Sequence, residues 1–155
     1  MQYGDAIAIL RRIPLFSKLD SAKLNLLAFS SISLTFEEGE ELFREGDPAD
    51  GAYVIEEGEV DVLTGQDGRR VKIGRLGKSD LFGEMALILN RTRSATICAA
   101  QHLKVLKIDP DVFLRLVTEN PDAALTIMRS LSEKLTRLTE RYQELQRHVN
   151  VHENS

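Results

Sequence analysis

Residues 82–96, FGEMALILNRTRSAT, combine a glycine, a glutamate and an arginine–serine pair within an otherwise largely apolar segment. Gly83 and Glu84 begin a stretch with room for one short helical turn, Glu84 to Leu87, and free N–H groups at a helix start bind anions. Arg93 adds a planar, permanently charged donor for the same anion, and Ser94 adds a hydroxyl donor. The Glu84 carboxylate is unsuited to phosphate but is a good acceptor for a pair of sugar hydroxyls. Phosphate at one end and ribose at the other indicate a nucleotide ligand.

The composition predicts one soluble globular domain with a helical extension. The chain has 155 residues, of which 43% are hydrophobic and 28% charged. A formal net charge of −4 argues against sequence-independent binding to DNA phosphates, so we expect no direct nucleic-acid partner. The single cysteine, Cys98, cannot form an intramolecular disulfide, and no apolar run reaches the roughly 20 residues of a membrane span. We therefore expect a cytoplasmic protein with no membrane segment.

The spacing of apolar and turn-forming residues differs between residues 1–30 and residues 31–109. Residues 1–30 carry apolar residues at helical spacing, interrupted at Pro14, and Asp20 or Ser21 is suited to cap a second helix. Residues 31–109 instead contain short apolar runs separated by glycines, which is typical of an antiparallel sandwich or barrel. The sequence Gln66-Asp67-Gly68 is the most explicit hairpin signal. These features predict two N-terminal helices followed by a β-roll.

Helical periodicity returns over residues 110–150. Asp109-Pro110 and Asn120-Pro121 each place a capping side chain before a proline at the first helical position, which predicts two helices. The first half of the second helix fits either packing on the chain's own sheet or self-association, whereas its second half favours a partner helix. Residues 151–155 are expected to form a frayed tail. The heptad seam of this helix is formed by Leu131, Leu135, Leu138, Tyr142, Leu145 and Val149.

Segment 82–96 resembles the phosphate-binding cassette of the cyclic nucleotide-binding domain family, the type found in the catabolite activator and in protein kinase A regulatory subunits. The spacing between Glu84 and Arg93 is that of the family. The segments PLFSKL and EEGEELFREGDPADGAYVIEEGEVDV also match, so the likeness extends roughly from Ile9 to Leu138. The resemblance implies a mainly β fold with flanking helices: an eight-stranded antiparallel β-roll, or jelly roll, with N-terminal helices and a long C-terminal helix.

The resemblance also implies roles for individual residues. Gly83 and the amide of Ala95 would contact the cyclic phosphate, Arg93 would neutralise it, Ser94 would hydrogen-bond it, and Glu84 would hold the ribose 2′-hydroxyl. The base would be read from the long helix, although Tyr142 also belongs to the heptad seam. The full set of expected ligand-binding residues is Phe82, Gly83, Glu84, Met85, Ala86, Arg93, Ser94, Ala95, Thr139, Tyr142 and Gln143.

Three positions depart from the family pattern. Thr92 stands where the family usually has proline, which predicts a looser turn without loss of a ligand. Ser79 replaces a common glycine, which predicts a strained or differently shaped turn before the cassette. Arg91 is an additional cation, interpreted as a solvated loop residue rather than as a second steering charge. None of these changes removes the anion site.

We therefore expect a non-catalytic sensor that binds a 3′,5′-cyclic nucleotide and signals by rearrangement of its closing helices. Ser94 favours cAMP slightly over cGMP, no metal is implied, and a homodimer through the C-terminal helix and an unidentified effector protein are the expected partners. One alternative is a fragment of a larger transcription regulator or transporter. A cupin-like metal enzyme is disfavoured because His102, His148 and His152 form no inward-facing ligand cluster.

Overall fold

Eight strands and five helices make up the part of the chain that the computed structural model describes, residues 3–65 and 68–153. The strands are β1 (Ile32–Phe36), β2 (Glu41–Phe43), β3 (Ala52–Glu57), β4 (Val60–Thr64), β5 (Val71–Leu76), β6 (Leu81–Phe82), β7 (Thr96–Ala99) and β8 (Leu103–Ile108). The helices are α1 (Tyr3–Arg11), α2 (Ser21–Ser30), α3 (Glu84–Leu89), α4 (Pro110–Glu119) and α5 (Pro121–Glu153).

The strands form two four-stranded antiparallel sheets. The first has the order β1-β8-β3-β6 and the second has the order β2-β7-β4-β5. The predicted eight-stranded antiparallel roll is thereby confirmed. Strands β4 and β5 pair as the hairpin signal predicted, while the turn residues Gln66 and Asp67 lie outside the described residues.

The first sheet is the middle layer of the molecule. In β8, Leu103 and Val105 point towards the second sheet, whereas Leu106 and Ile108 point towards the helices. Successive strand residues face opposite sides, so a strand with apolar residues at nearly every position must be covered on both faces. The helices supply the second cover, with Phe113 of α4 among the residues of that core.

Side-chain caps set two of the helix starts as the sequence predicted. Asp20 accepts from the amide of Lys23 at the start of α2, and Asp109 accepts from the amide of Val112 at the start of α4. Helix α5 begins at Pro121 as predicted, and the carbonyl of Asn120 accepts from the amide of Ala124, but the prediction that the Asn120 side chain caps α5 was wrong. Its Nδ2 donates to the carbonyl of Leu116 and its Oδ1 accepts from the Lys23 ammonium group, so Asn120 closes the end of α4 instead of capping α5.

Helix α5 carries an exposed apolar stripe. The seam residue Leu131 is half-buried, and the seam residues beyond it are exposed. The helix is described as far as Glu153, inside the segment 151–155 that was predicted to fray, and Asn154 and Ser155 lie outside the described residues. Within the described ranges, no helix combines the length and the apolar character that a bilayer crossing requires. The exposed seam residues are Leu135, Leu138, Tyr142, Leu145 and Val149.

Candidate functional site

The cassette crosses from one sheet to the other. Strand β6 pairs with β3 in the first sheet, α3 follows, and β7 then pairs with β2 and β4 in the second sheet. The chain before β7 is anchored by its backbone, because the amide of Arg93 donates to the carbonyl of Asp47 (2.8 Å) and the carbonyl of Arg93 accepts from the amide of Gly46 (2.8 Å). Residues 83 to 95 are therefore held at both ends by sheet pairing.

Gly83 precedes α3 in a conformation that favours glycine. Its φ is 81°, in the left-handed region. A Cβ added at Gly83 would lie 2.9 Å from Nη1 of Arg93 and 3.4 Å from Cδ2 of Tyr53. Both the backbone conformation and the close approach of the arginine therefore exclude a larger residue.

Arg93 is buried behind Gly83, with 3% of its surface exposed. Its Nη1 donates to the carbonyl of Gly83 (2.6 Å), and its Nη2 donates to the carbonyl of Gly51 (2.7 Å) and to Oδ1 of Asp50 (3.1 Å). The guanidinium carbon lies 4.0 Å from the centroid of the Phe43 ring, a cation–π contact. Its buried Nε has no hydrogen-bond partner among the described residues, and a donor of this kind usually has one.

Asp50 completes the arginine site, and the sequence analysis did not identify it. Its Oδ2 accepts from Nζ of Lys107 at 2.7 Å, so one carboxylate joins two cations. Burial acts to raise the pKa of Asp50, but the hydrogen bonds from Lys107 and Arg93 outweigh it and hold the pKa below its ordinary value. The only local signal was an acidic residue beside Gly51, and a surface turn would have explained that residue equally well.

Glu84 lies at the start of α3 with 15% of its side chain exposed. Burial raises the pKa of its carboxyl group above the ordinary value, and a hydrogen bond from its own backbone, followed by the positive charges of Lys134 and Arg93, partly offsets that rise. The Lys134 ammonium of α5 is 3.9 Å from Oε1 of Glu84. A buried carboxylate at a helix N-terminus is a strong acceptor for hydroxyl groups when it is ionised.

A cavity of about 220 Å³ is lined by Gly83, Glu84, Arg93 and Lys134. All eight cassette residues expected to bind the ligand line it, and Phe43, Val62, Leu76, Leu81, Ile97 and Lys134 form the rest of its wall. Thr139, Tyr142 and Gln143 are exposed on α5 and are not among the lining residues. Their contact with the base stays a prediction. The eight cassette residues are Phe82, Gly83, Glu84, Met85, Ala86, Arg93, Ser94 and Ala95.

The three departures from the family pattern differ in their structural effect. Ser79 has a φ of 71°, so its turn does hold a non-glycine residue in the left-handed region, as predicted. Thr92 and Arg91 are exposed, and the Arg91 amide donates to the carbonyl of Ala86. The strain at Ser79 lies in the turn that leads into β6, outside the cavity wall itself.

Metal chemistry has no obvious ligands in the part of the chain that the structure describes. No group of three or more histidine, cysteine, aspartate or glutamate side chains is placed to hold an ion there. His102, one of the three histidines considered for a cupin-like enzyme, lies at the surface, where its Nδ1 is 3.2 Å from Oε1 of Glu37. The site is instead a cavity lined mainly by apolar residues together with the Arg93 guanidinium and the Glu84 carboxylate.

Comparison with known proteins gives the same assignment. The sequence model of the cyclic nucleotide-binding domain matches residues 33–120, more than half of the chain. A cAMP-dependent protein kinase type II regulatory subunit of Drosophila melanogaster is 37% identical over 110 residues, which are 70% of this chain and 29% of the relative. The chain therefore spans less than a third of that relative's length.

Solved structures show the same fold. The co-crystal structure of the regulatory domain of Toxoplasma gondii PKA with cAMP is 30% identical, with a TM-score of 0.72 over 84% of this chain and 48% of the other. The sensor domain of the transcriptional regulator DNR from Pseudomonas aeruginosa, at 22% identity, has the same fold with a TM-score of 0.81 over 89% of this chain and 93% of the other. The chain belongs to the cyclic nucleotide-binding domain family, and it is a domain similar to those of protein kinase A regulatory subunits.

Proposed function

We propose that this chain is a non-catalytic cytoplasmic sensor that binds a 3′,5′-cyclic nucleotide, with cAMP as the favoured ligand and cGMP as the alternative. The observation that carries this proposal is the buried guanidinium of Arg93 in the wall of a cavity that Glu84 also lines. A buried cation attracts an anion into a site from which water is largely excluded. The co-crystal structure of the Toxoplasma relative contains cAMP, which favours this ligand.

The proposed ligand contacts follow the polarity of the cavity. The cyclic phosphate would lie against Arg93, Gly83 and the amide of Ala95, with the exposed Ser94 hydroxyl beside it. The ribose 2′-hydroxyl would donate to Glu84. Phe82, Met85 and Ala86 would contact the ligand from the same wall, and the apolar part of the cavity suits a flat purine.

The proposed signal is a movement of the closing helices. Because Thr139, Tyr142 and Gln143 are exposed and lie outside the cavity wall, α5 must change position before any of them can contact a base. A ligand that binds better to the closed arrangement would shift the population towards it.

We also propose that α5 pairs with α5 of a second copy. Leu135, Leu138 and Leu145 are 60–66% exposed at heptad positions, and a partner helix would bury this stripe. The described part of this chain offers no such cover for the distal seam. An unidentified effector protein would then detect the movement of the paired helices. No direct nucleic-acid contact is proposed.

A second candidate is that the chain acts as the cyclic nucleotide-binding piece of a larger regulator. Its short coverage of the protein kinase A relatives favours this possibility, since it spans 29% of one and 48% of another. A transcription regulator and a transporter are both compatible with such an arrangement. In each case the domain itself would bind the same ligand in the same cavity.

Thermal melting of the purified protein with cAMP, cGMP and 5′-AMP tests the proposal. Ligand at about one hundred times its dissociation constant stabilises a protein by roughly 2.7 kcal/mol, a shift of several degrees for a chain of this size. We expect a shift with a cyclic nucleotide, and a much smaller one both with AMP and with a cyclic nucleotide in Arg93→Ala. If neither cyclic nucleotide shifts the melting temperature of the parent protein, the proposed function is wrong.

A further inference from the structure

Lys134 is the one described α5 residue among those that line the cassette cavity. It also lines a neighbouring cavity of about 240 Å³ between α3, α5 and the segment after α1, and Glu84 borders both cavities. The Lys134 side chain is half-exposed, so its ammonium is free to adjust its position. This residue places a positive charge from the closing helix beside the carboxylate assigned to the ribose.

The charges around the cavity do not balance without a ligand. The charged residues that line the cavity are Arg93, Lys134 and Glu84, and the Asp50 carboxylate behind Arg93 is matched by Lys107, so the net charge is +1. A cyclic phosphodiester carries one negative charge and would bring the sum to zero. Without Lys134 the empty site would be neutral and the occupied site would carry −1. Lys134 is therefore the group that makes the site complementary to a monoanion.

We propose that Lys134 is a positioning residue for nucleotide binding: its ammonium pairs with the Glu84 carboxylate in the cavity wall and supplies the positive charge that a bound cyclic phosphate neutralises. This inference rests on the proposed function of the cassette. In this proposal, α5 contacts the residue assigned to the ribose before the closing helices move.

The surroundings of Glu84 explain why it needs a cation. Burial raises the pKa of Glu84, and a protonated carboxyl group loses an acceptor position that a sugar hydroxyl would use. The charged groups that act on it are Lys134 from α5 and Arg93 from the chain before β7. Asp80, from the turn before β6, also lines the second cavity, where its carboxylate accepts from the amide of Gly77. Arg93 already shares its charge with Asp50, so Lys134 is the cation available to Glu84.

The test measures cAMP and cGMP dissociation constants by titration calorimetry between pH 5 and 8 at low salt, for the full chain and three variants. Lys134→Met keeps most of the length of the side chain and removes its charge, and Lys134→Arg retains the charge. Arg137→Met removes a charge from an exposed α5 position outside both cavities. We expect Lys134→Met to weaken binding roughly fivefold at pH 7, because the pair is half-exposed. Lys134→Arg and Arg137→Met should remain within twofold of the parent.

The pH profile separates this role from general packing. Binding should weaken on acidification as Glu84 takes up a proton, and in Lys134→Met this loss should begin at a higher pH. Nuclear magnetic resonance of the ligand-free protein should show the Glu84 pKa rising in Lys134→Met and unchanged in Arg137→Met. An unchanged Glu84 pKa, or an unchanged dissociation constant in Lys134→Met, would overturn the role of Lys134 alone. If the parent bound neither nucleotide, the proposed function would fall and this role with it.

Discussion

The β-roll buries its apolar side chains within the chain, whereas helix α5 leaves an apolar stripe exposed. In β3 and β8 the core residues Val54, Ile55 and Val105 are completely buried, and even the charged Arg93 has backbone, carboxylate and aromatic partners. In α5, by contrast, Leu135 is 66% exposed at a seam position. The roll therefore buries its apolar side chains without a second chain, and most of α5 does not.

This difference separates ligand binding from response. A binding site requires groups held in place, and sheet pairing on both sides of the cassette provides that constraint. A response requires an element with more than one favourable position, and a long helix with an exposed apolar stripe can pack in more than one way. We infer that the nucleotide is held by the roll and that its presence is reported by α5.

The largest expected effect comes from the centre of the site. Arg93→Ala should cost about 2 to 5 kcal/mol of cyclic nucleotide binding, because it removes the cation opposite the phosphate. It should also lower the free energy of unfolding, since Asp50 would lose one of its two cationic partners and the carbonyls of Gly51 and Gly83 would lose a donor. Titration calorimetry and urea unfolding measure the two losses.

Arg91→Ala is the matched control for this change. Arg91 lies two residues from Arg93 but is exposed, so its removal should leave both binding and stability within about 0.5 kcal/mol of the parent. If Arg93→Ala bound cAMP within twofold of the parent, Arg93 would not be the phosphate ligand. The division between a roll that holds the ligand and a helix that responds to it would then no longer hold.

The seam of α5 gives the next largest effect. A charge at Leu138 would be buried without a counter-ion in a paired helix, which costs about 3 kcal/mol or more of association. Light scattering should therefore show a dimeric parent and a monomeric Leu138→Asp. Thr136→Asp introduces the same charge at an exposed position outside the seam and should remain dimeric. A parent that is already monomeric would reject the proposed dimer.

The next smaller effect concerns the free energy of unfolding and comes from the turn before the cassette. Ser79 adopts a φ of 71°, so Ser79→Gly should raise the free energy of unfolding by roughly 1 kcal/mol and the melting temperature by roughly 2 to 4 °C. Asn90, with a φ of 52°, is the control, since asparagine tolerates this conformation and Asn90→Gly should gain less. An equal or smaller gain at Ser79 would show that the turn is not strained.

The smallest effect concerns a carboxyl group of the roll away from the cavity. Burial raises the pKa of Glu56, although Lys104 and a hydrogen bond from Ser33 partly oppose the rise. Because the pKa of Glu56 is higher in the folded than in the unfolded protein, its contribution to the free energy of unfolding is fully present below the unfolded pKa. That contribution is lost as the pH rises through the folded pKa. Glu56→Gln should therefore raise the melting temperature at pH 7 by roughly one degree and show no gain at pH 4.

The neighbouring Glu57 provides the control for this prediction. Its side chain is exposed, so Glu57→Gln should change the melting temperature little at either pH. Equal effects at the two positions would mean that general surface charge, not burial of Glu56, determines the pH dependence. Glu56 would then not be a carboxyl group that burial destabilises in its charged form, as distinct from Asp50, whose charge is stabilised by two cations.

Local patterns predicted the fold well where a single segment determines the structure. The side chains of Asp20 and Asp109 cap helices next to them in sequence, and short runs separated by glycines predicted an antiparallel sandwich or barrel, while the number of eight strands came from the family resemblance. Asn120 was misassigned because its partner Lys23 lies 97 residues away. A capping residue between two helices can serve either one, and the choice depends on packing that no local pattern contains.

The candidate site shows the same limit. Gly83, Glu84 and Arg93 lie within one short segment, so their spacing alone indicated an anion and ribose site. Asp50 reaches Arg93 from 43 residues away, and Lys134 reaches Glu84 from α5. These partners are brought together by the pairing of β3 with β8 and by the packing of α5, so only the assembled structure shows them.

Amide hydrogen exchange with and without a large excess of cAMP, and in parallel of cGMP, tests the central claim most directly. The account predicts slower exchange in residues 82–96 and a changed rate along α5 between residues 126 and 143, while β3 and β8 remain as they were. Unchanged exchange in residues 82–96 with both nucleotides would contradict the claim that the roll holds the ligand. Protection of residues 82–96 without any change in α5 would contradict the claim that this helix reports it.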